Sequence, residues 1–165
     1  MTATTPDAHP RDDDRRIPLL LALLVLCVGG GALIGVLSAS STSQYGQLDL
    51  PSFAPPSSWF GPVWTVLYTL MAVSAWLVAR TDHPFRARAL TAFAVQLVVN
   101  FAWTPVFFGL QARAAALGVI VAVLVSAGWW AVEAGRVHRT AGFLQLPYLA
   151  WTSFATVLNA AIVLA

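Results

Sequence analysis

An all-α integral membrane protein, built as an up-down bundle of five helices, is the architecture this sequence predicts, and three observations carry it. Only 10% of the 165 residues are charged while 58% are hydrophobic, against about 25% charged in soluble domains, so a compact soluble monomer is excluded. The charges leave five stretches free of Asp, Glu, Lys and Arg, residues 17–48, 50–79, 89–112, 114–132 and 140–165, each near or above the roughly 20 apolar residues that cross a bilayer. All nine basic residues are Arg. If every stretch spans, Arg11, Arg15, Arg16, Arg80, Arg86, Arg88, Arg136 and Arg139 share one side and Arg113 stands alone on the other. Basic residues in short loops mark the cytoplasmic face, which predicts the N-terminus inside and the C-terminus outside. The absence of an organelle transit pattern favours a bacterial inner membrane. No basic stripe exists for phosphates to meet, so the slight positive charge does not indicate nucleic acid.

Residues 1–16 form a polar tail in which Asp12, Asp13 and Asp14 sit beside Arg11, Arg15 and Arg16; such a segment is expected to be disordered or to lie on headgroups. The rest, 17–165, reads as a single membrane domain. Its first span, about 17–38, carries Gly29, Gly30, Gly31 and Gly35, and the G-x-x-x-G pair Gly31 and Gly35 favours close helix packing inside the bundle over a dimer seam. An Arg-bearing start and Ser38-Ala39-Ser40 also suit a signal peptide, but the 17–37 run is longer than the usual apolar core of about 7 to 15 residues. Cys27 is the only cysteine, so no internal disulfide forms. Residues 39–60 are rich in Ser, Thr, Gln and Pro. They cannot span, and irregular backbone at a bilayer must lie against protein or in the aqueous layer, so this loop is expected to cover the outer mouth of the bundle. Four further spans follow at about 61–80, 89–109, 113–133 and 142–163, with Pro147 at a helix start or kink. Their short connections force sequential antiparallel neighbours.

Three spans carry mixed aromatic and amide faces. Phe60, Trp64 and Tyr68 are spaced i, i+4, i+8, and Gln96, Asn100, Trp103 and Phe107 fall at i, i+4, i+7, i+11, each a single stripe. Pro147, Tyr148, Trp151, Ala155, Leu158 and Asn159 add a third. Amides within a bilayer turn to the bundle interior or a cavity, either as interhelical bonds or as ligand contacts. Trp129 and Trp130 near the end of the fourth span fit an interfacial aromatic belt, and Glu133 reads as a solvated or snorkelling partner of Arg136. Catalytic constellations are absent: His9, His83 and His138 have no Cys or carboxylate cluster at ligand spacing, no carboxylate pair or phosphate loop is present, and no span carries a buried ionisable group of the kind a proton-coupled transporter uses. No metal, cofactor or catalytic residue is therefore expected. What remains suits a flat, apolar ligand.

Three segments, in order, resemble the tryptophan-rich sensory protein and translocator protein family (TspO/MBR, the peripheral-type benzodiazepine receptors). They are Pro51-x-x-x-Pro55-Pro56 with Phe60-Gly61-Pro62-Val63-Trp64-x-x-Leu67-Tyr68; Gln96-Leu97-x-x-Asn100-x-x-Trp103-x-x-x-Phe107-Phe108-Gly109; and Pro147-Tyr148-Leu149-Ala150-Trp151 with Leu158-Asn159. The resemblance, over residues 17–160, implies a five-helix bundle, often a homodimer, with a pocket beneath the first loop between spans one, two, three and five. It implies ligands such as porphyrins, haem-related tetrapyrroles or sterol-like molecules, and pocket residues Tyr45, Phe60, Trp64, Tyr68, Asn100, Trp103, Phe107, Trp151, Ala155 and Leu158, with Asn100 as a polar anchor. The implied function is a membrane receptor or sensor that moves or sequesters such ligands; the alternative is a porphyrin-degrading enzyme that uses pocket Trp residues. At the family's second Trp position this chain has Ser58, with Trp59 one place later, and its C-terminal run from Ala160 to Ala165 lacks the Tyr and basic residue of the family's sterol motif.

Overall fold

The computed structural model describes residues 16–38 and 50–164; all but the last residue of the polar tail expected at 1–16, and residues 39–49 of the first loop with Tyr45 among them, lie outside the described residues. Every regular element among the described residues is helical. Five helices are long and apolar enough to cross a membrane: α1 (Ile17–Leu37), α2 (Ser57–Ala79), α3 (Arg86–Gly109), α4 (Arg113–Val137) and α5 (Arg139–Leu164).

The distribution of side chains is inside-out. Gln96, Asn100, Ser74, Gln145, Thr152 and Asn159 are buried, whereas Val98 and Val125 are 70% and 68% exposed. Lipid provides no hydrogen bonds, so polar groups must find partners within the bundle while apolar groups can face outward at no cost. The outward valines of α2 to α5 are therefore lipid-facing. The core is an interior of small and aromatic residues that includes Met71, Ala72, Ala75, Phe93, Leu97, Ala127, Trp130 and Tyr148.

Helix α4 is the centre of the packing, with its most extensive contact to α3 and a second to α5, while α1 leans chiefly on α2. Connections are short enough to enforce this order. Leu110 to Ala112 join α3 to α4, with Gln111 in the left-handed region at φ 53°. Extended His138 alone separates α4 from α5. The turn is tight because two glycines meet there: a Cβ on Gly142 would stand 2.7 Å from the Gly135 Cα. Nearby, the buried Ser74 hydroxyl donates to the Ala141 carbonyl at 2.9 Å and ties α2 to the start of α5.

Besides the 3₁₀ turn Ser57–Trp59 that opens α2, three spans depart from regular α-helix, each with a physical cause or consequence. In α1 a widened π-turn occupies Val25–Gly29, and Cys27 is its only buried residue within the span, so α1 forms a peripheral wall. In α3 the widened turn Pro105–Gly109 follows from Pro105, which lacks an N–H and crowds the preceding turn; the Leu110 N–H closes it by donating to the Pro105 carbonyl at 2.8 Å. In α5 the short helix Arg139–Phe143 is followed by a turn and the long segment Leu146–Leu164. Pro147 lies in the first turn of that segment, where a missing N–H breaks no helical bond.

Candidate functional site

The two α3 amides, one turn apart, hold two tyrosines from different helices. Asn100 Nδ2 donates to the Tyr68 hydroxyl on α2 at 2.9 Å, and Gln96 Nε2 donates to the Tyr148 hydroxyl on α5 at 2.8 Å. Between these tyrosines lies Trp64. Its ring stacks on Tyr68 at 5.4 Å and 29° and meets Tyr148 edge-on at 6.2 Å and 67°, both favourable aromatic geometries. The amides thus act first as interhelical bonds that fix the aromatic wall. Asn100 is 4% exposed and reaches the cavity described next only through Tyr68.

Trp64 and Tyr68 form one wall of a cavity of about 420 Å³ in the half of the bundle nearest the first loop, within the ~300–1,000 Å³ range of ligand pockets. Helix α2 also contributes Ser57, Phe60, Gly61 and Thr65, α3 contributes Trp103, Thr104 and Phe108, and α1 contributes Val28, Gly31, Ala32, Gly35 and Val36. Among the described residues, none that lines the cavity is charged. Polar character comes from hydroxyls and the Trp103 indole, and the Thr65 hydroxyl already donates to the Gly61 carbonyl at 2.9 Å.

Gly31 sets the width of this space. A Cβ built there would overlap the Tyr68 ring, and one on Gly30 would stand 2.8 Å from Phe101 Cζ. Tyr68 cannot swing aside freely, because Asn100 holds its hydroxyl and Trp64 covers its face. The close approach expected of the Gly31 and Gly35 pair thus occurs inside the bundle at Gly31. Gly35 is open and lines the cavity.

Three other expected pocket residues, Phe107, Ala155 and Leu158, lie on the far side of a shared aromatic partition. Phe60, Trp103 and Phe108 line both the cavity and a crevice of about 20 Å³, and this crevice collects Phe107, Ala155 and Leu158 with Asn159. Trp103 is fixed there: it stacks on Phe107 at 5.1 Å, and its Nε1 donates to Asn159 Oδ1 at 3.3 Å. Asn159 Nδ2 in turn donates to the Arg113 carbonyl at 3.2 Å, linking α3, α4 and α5. Trp151 touches Phe60 edge-on at 6.1 Å and lines neither space; its indole nitrogen is buried with no hydrogen-bond partner among the described residues.

Trp59 does not replace the aromatic ring absent at Ser58. It is 60% exposed and lines, with Ser58, Pro62, Val63, Val66 and Leu67, a separate open groove of about 530 Å³ on the outer side of α2. Ser57 faces the cavity instead.

Span one is expected at the pocket from the resemblance, but none of its residues is singled out there, although the signal is present: residues 28, 31, 32, 35 and 36 fall at i, i+3, i+4, i+7 and i+8, one helical stripe. Two readings of α4 are corrected. Trp130 is fully buried against Phe93 at 5.4 Å rather than in an interfacial belt. Glu133 is 1% exposed, not solvated; its Oε1 accepts from Arg136 Nη1 at 2.9 Å and pairs with the Arg88 guanidinium at the same distance. A buried ionisable residue therefore does lie in a span. Both residues continue the inward stripe of Val123, Ala127, Ala134 and Val137.

The sequence model of the TspO/MBR family matches residues 22–164. Among similar proteins, a tryptophan-rich sensory protein of Cereibacter sphaeroides is 38% identical over 143 residues, covering 86% of this chain and 87% of the relative. The tryptophan-rich protein TspO of Chlorobaculum tepidum is 34% identical, covering 82% and 90%. The human translocator protein is 36% identical over 118 residues, covering 70% of each chain.

Proposed function

The chain belongs to the TspO/MBR family and is an integral membrane protein with five candidate spanning helices, and from that premise we propose that it is a membrane receptor or sensor for flat lipophilic ligands, tetrapyrroles foremost. The observation that carries this reading is the cavity itself: about 420 Å³, lined by no charged side chain among the described residues, and walled by Phe60, Trp64, Tyr68, Trp103 and Phe108. Aromatic faces held in place by hydrogen-bonded tyrosines and amides favour a rigid planar guest, because no ordering of the wall opposes binding. The porphyrin-degrading alternative has weaker support, since Ser58 brings no ring and Trp59 faces the outer groove.

In the test, protoporphyrin IX is added to the full chain in detergent while Trp fluorescence is followed. Saturable quenching, with a bound Soret band that is stable under illumination, is expected. Linear, unsaturable quenching would contradict binding, and light-driven loss of the Soret band would favour the enzyme.

Orientation follows from charge. Arg80, Arg86, Arg88, Arg136 and Arg139 gather at the end of the bundle where α2 and α4 finish and α3 and α5 begin, while Arg113 lies at the other end. We read the Arg-rich end as cytoplasmic, in a bacterial inner membrane with the cavity toward the outside. A C-terminal alkaline phosphatase fusion is accordingly expected to be active, and an inactive one would reverse the orientation.

A further inference from the structure

The half of the bundle opposite the cavity holds a second concentration of polar groups. Three contacts set its register: Arg88 to Glu133 at 2.9 Å, Phe93 against Trp130 at 5.4 Å, and Gln96 Nε2 to the Tyr148 hydroxyl at 2.8 Å. Helices α3 and α5 run in the same direction, so Gln145, one turn before Tyr148, lies level with Phe93 and Trp130. Glu133 is then one turn toward the Arg-rich end and Gln96 one turn away from it.

Gln96, Trp130, Glu133 and Gln145 are each at most 1% exposed. Among the described residues, Gln96 Oε1, Trp130 Nε1, Glu133 Oε2 and both amide atoms of Gln145 are buried without a hydrogen-bond partner. Ser74, Ser126 and Thr152 direct their hydroxyl hydrogens to backbone carbonyls, so they donate to none of the three acceptors among these atoms. Native interiors rarely leave one such atom bare, and five at adjacent turns of three helices call for a guest that satisfies them.

The chemistry of these atoms selects the guest. Trp130 and the Gln145 amino group donate, whereas Glu133 Oε2, Gln145 Oε1 and Gln96 Oε1 accept. A cation is disfavoured, since Arg88 and Arg136 already share the carboxylate and no group of three or more His, Cys, Asp or Glu exists among the described residues. An anion would face Glu133 Oε2. A small neutral molecule that both donates and accepts remains, and buried water has this role in many proteins.

We infer that Gln96, Trp130, Glu133 and Gln145 form an internal hydration site that holds ordered water between α3, α4 and α5. Tyr148 joins this site to the cavity, for it accepts from Gln96 on one side and meets Trp64 on the other. The site is independent of which ligand the cavity takes.

A high-resolution experimental structure of the full chain tests the inference. Ordered water density within hydrogen-bond distance of at least two of the four side chains is expected. Direct bonds among them with no density between, such as the Gln145 amide turned onto Glu133 Oε2 and Trp130 Nε1, would overturn it. In solution, the Trp130 indole N–H, assigned by its loss in Trp130→Phe, is expected to show a magnetisation-transfer peak to long-lived water, and absence of that peak would count equally against the site.

Discussion

Gly31→Leu is expected to abolish or weaken by tenfold or more the saturable quenching by protoporphyrin IX, while the variant still inserts and folds. The added side chain starts from a Cβ that already overlaps Tyr68, and Tyr68 is held by Asn100 and by Trp64. Two responses are open to the protein: leucine fills the cavity beside Gly35 and Ala32, or Tyr68 is driven off its bond and disorders the Trp64 wall. Either removes the flat surface a planar ligand needs, and overpacking of this kind costs about 1–3 kcal/mol, with tenfold in affinity per ~1.4 kcal/mol. Gly35→Leu is the informative comparison, because a Cβ there meets nothing within 4 Å. It should narrow the cavity without displacing Tyr68, and so reduce affinity less. Equal, undiminished binding in both variants would show that the α1 wall does not bound the ligand site.

The largest stability effect is expected at the Arg-rich end. Glu133 is buried and its Oε1 is ion-paired with both Arg88 and Arg136, whereas those two side chains are 57% and 50% exposed. The pair is therefore asymmetric. Removing both guanidiniums in Arg88→Ala with Arg136→Ala leaves a carboxylate in the bundle interior with no positive partner, a change that costs about 3–5 kcal/mol. Removing the carboxylate in Glu133→Gln lets two half-exposed guanidiniums turn to water, at a cost of about 1–2 kcal/mol. Reversible unfolding in mixed micelles measures both. A Glu133→Gln loss as large as that of the double Arg variant would contradict this asymmetry.

The spans were legible in the sequence because lipid imposes a single strong rule: runs free of charge long enough to cross, separated by Arg on alternating sides, leave few alternatives to five helices. The aromatic stripes were legible for the same geometric reason, and Trp64, Tyr68 and Trp103 do meet around one cavity. Pairing across helices was not legible. Nothing in the spacing of Gln96 and Asn100 says that each reaches a tyrosine, since that depends on which helices are neighbours and at what height. Nor does it show that Phe60 and Trp103 separate the cavity from Phe107, Ala155 and Leu158. Trp130 and Glu133 were misjudged by local company, a Trp-Trp pair and a nearby Arg at a helix end. Their burial follows from α4 continuing to Val137, which carries both residues inward along the face that packs on α3.

The central claim, that the ligand lies between α1, α2 and α3, is tested most directly by repeating the protoporphyrin IX titration on Trp103→Leu and Trp59→Leu. Trp103 lines the cavity and Trp59 the outer groove, so affinity should fall roughly tenfold or more in the first, the effect of losing an aromatic anchor, and be unchanged in the second. Binding that survives Trp103→Leu and is lost in Trp59→Leu would place the ligand on the outer face of α2 and contradict the claim.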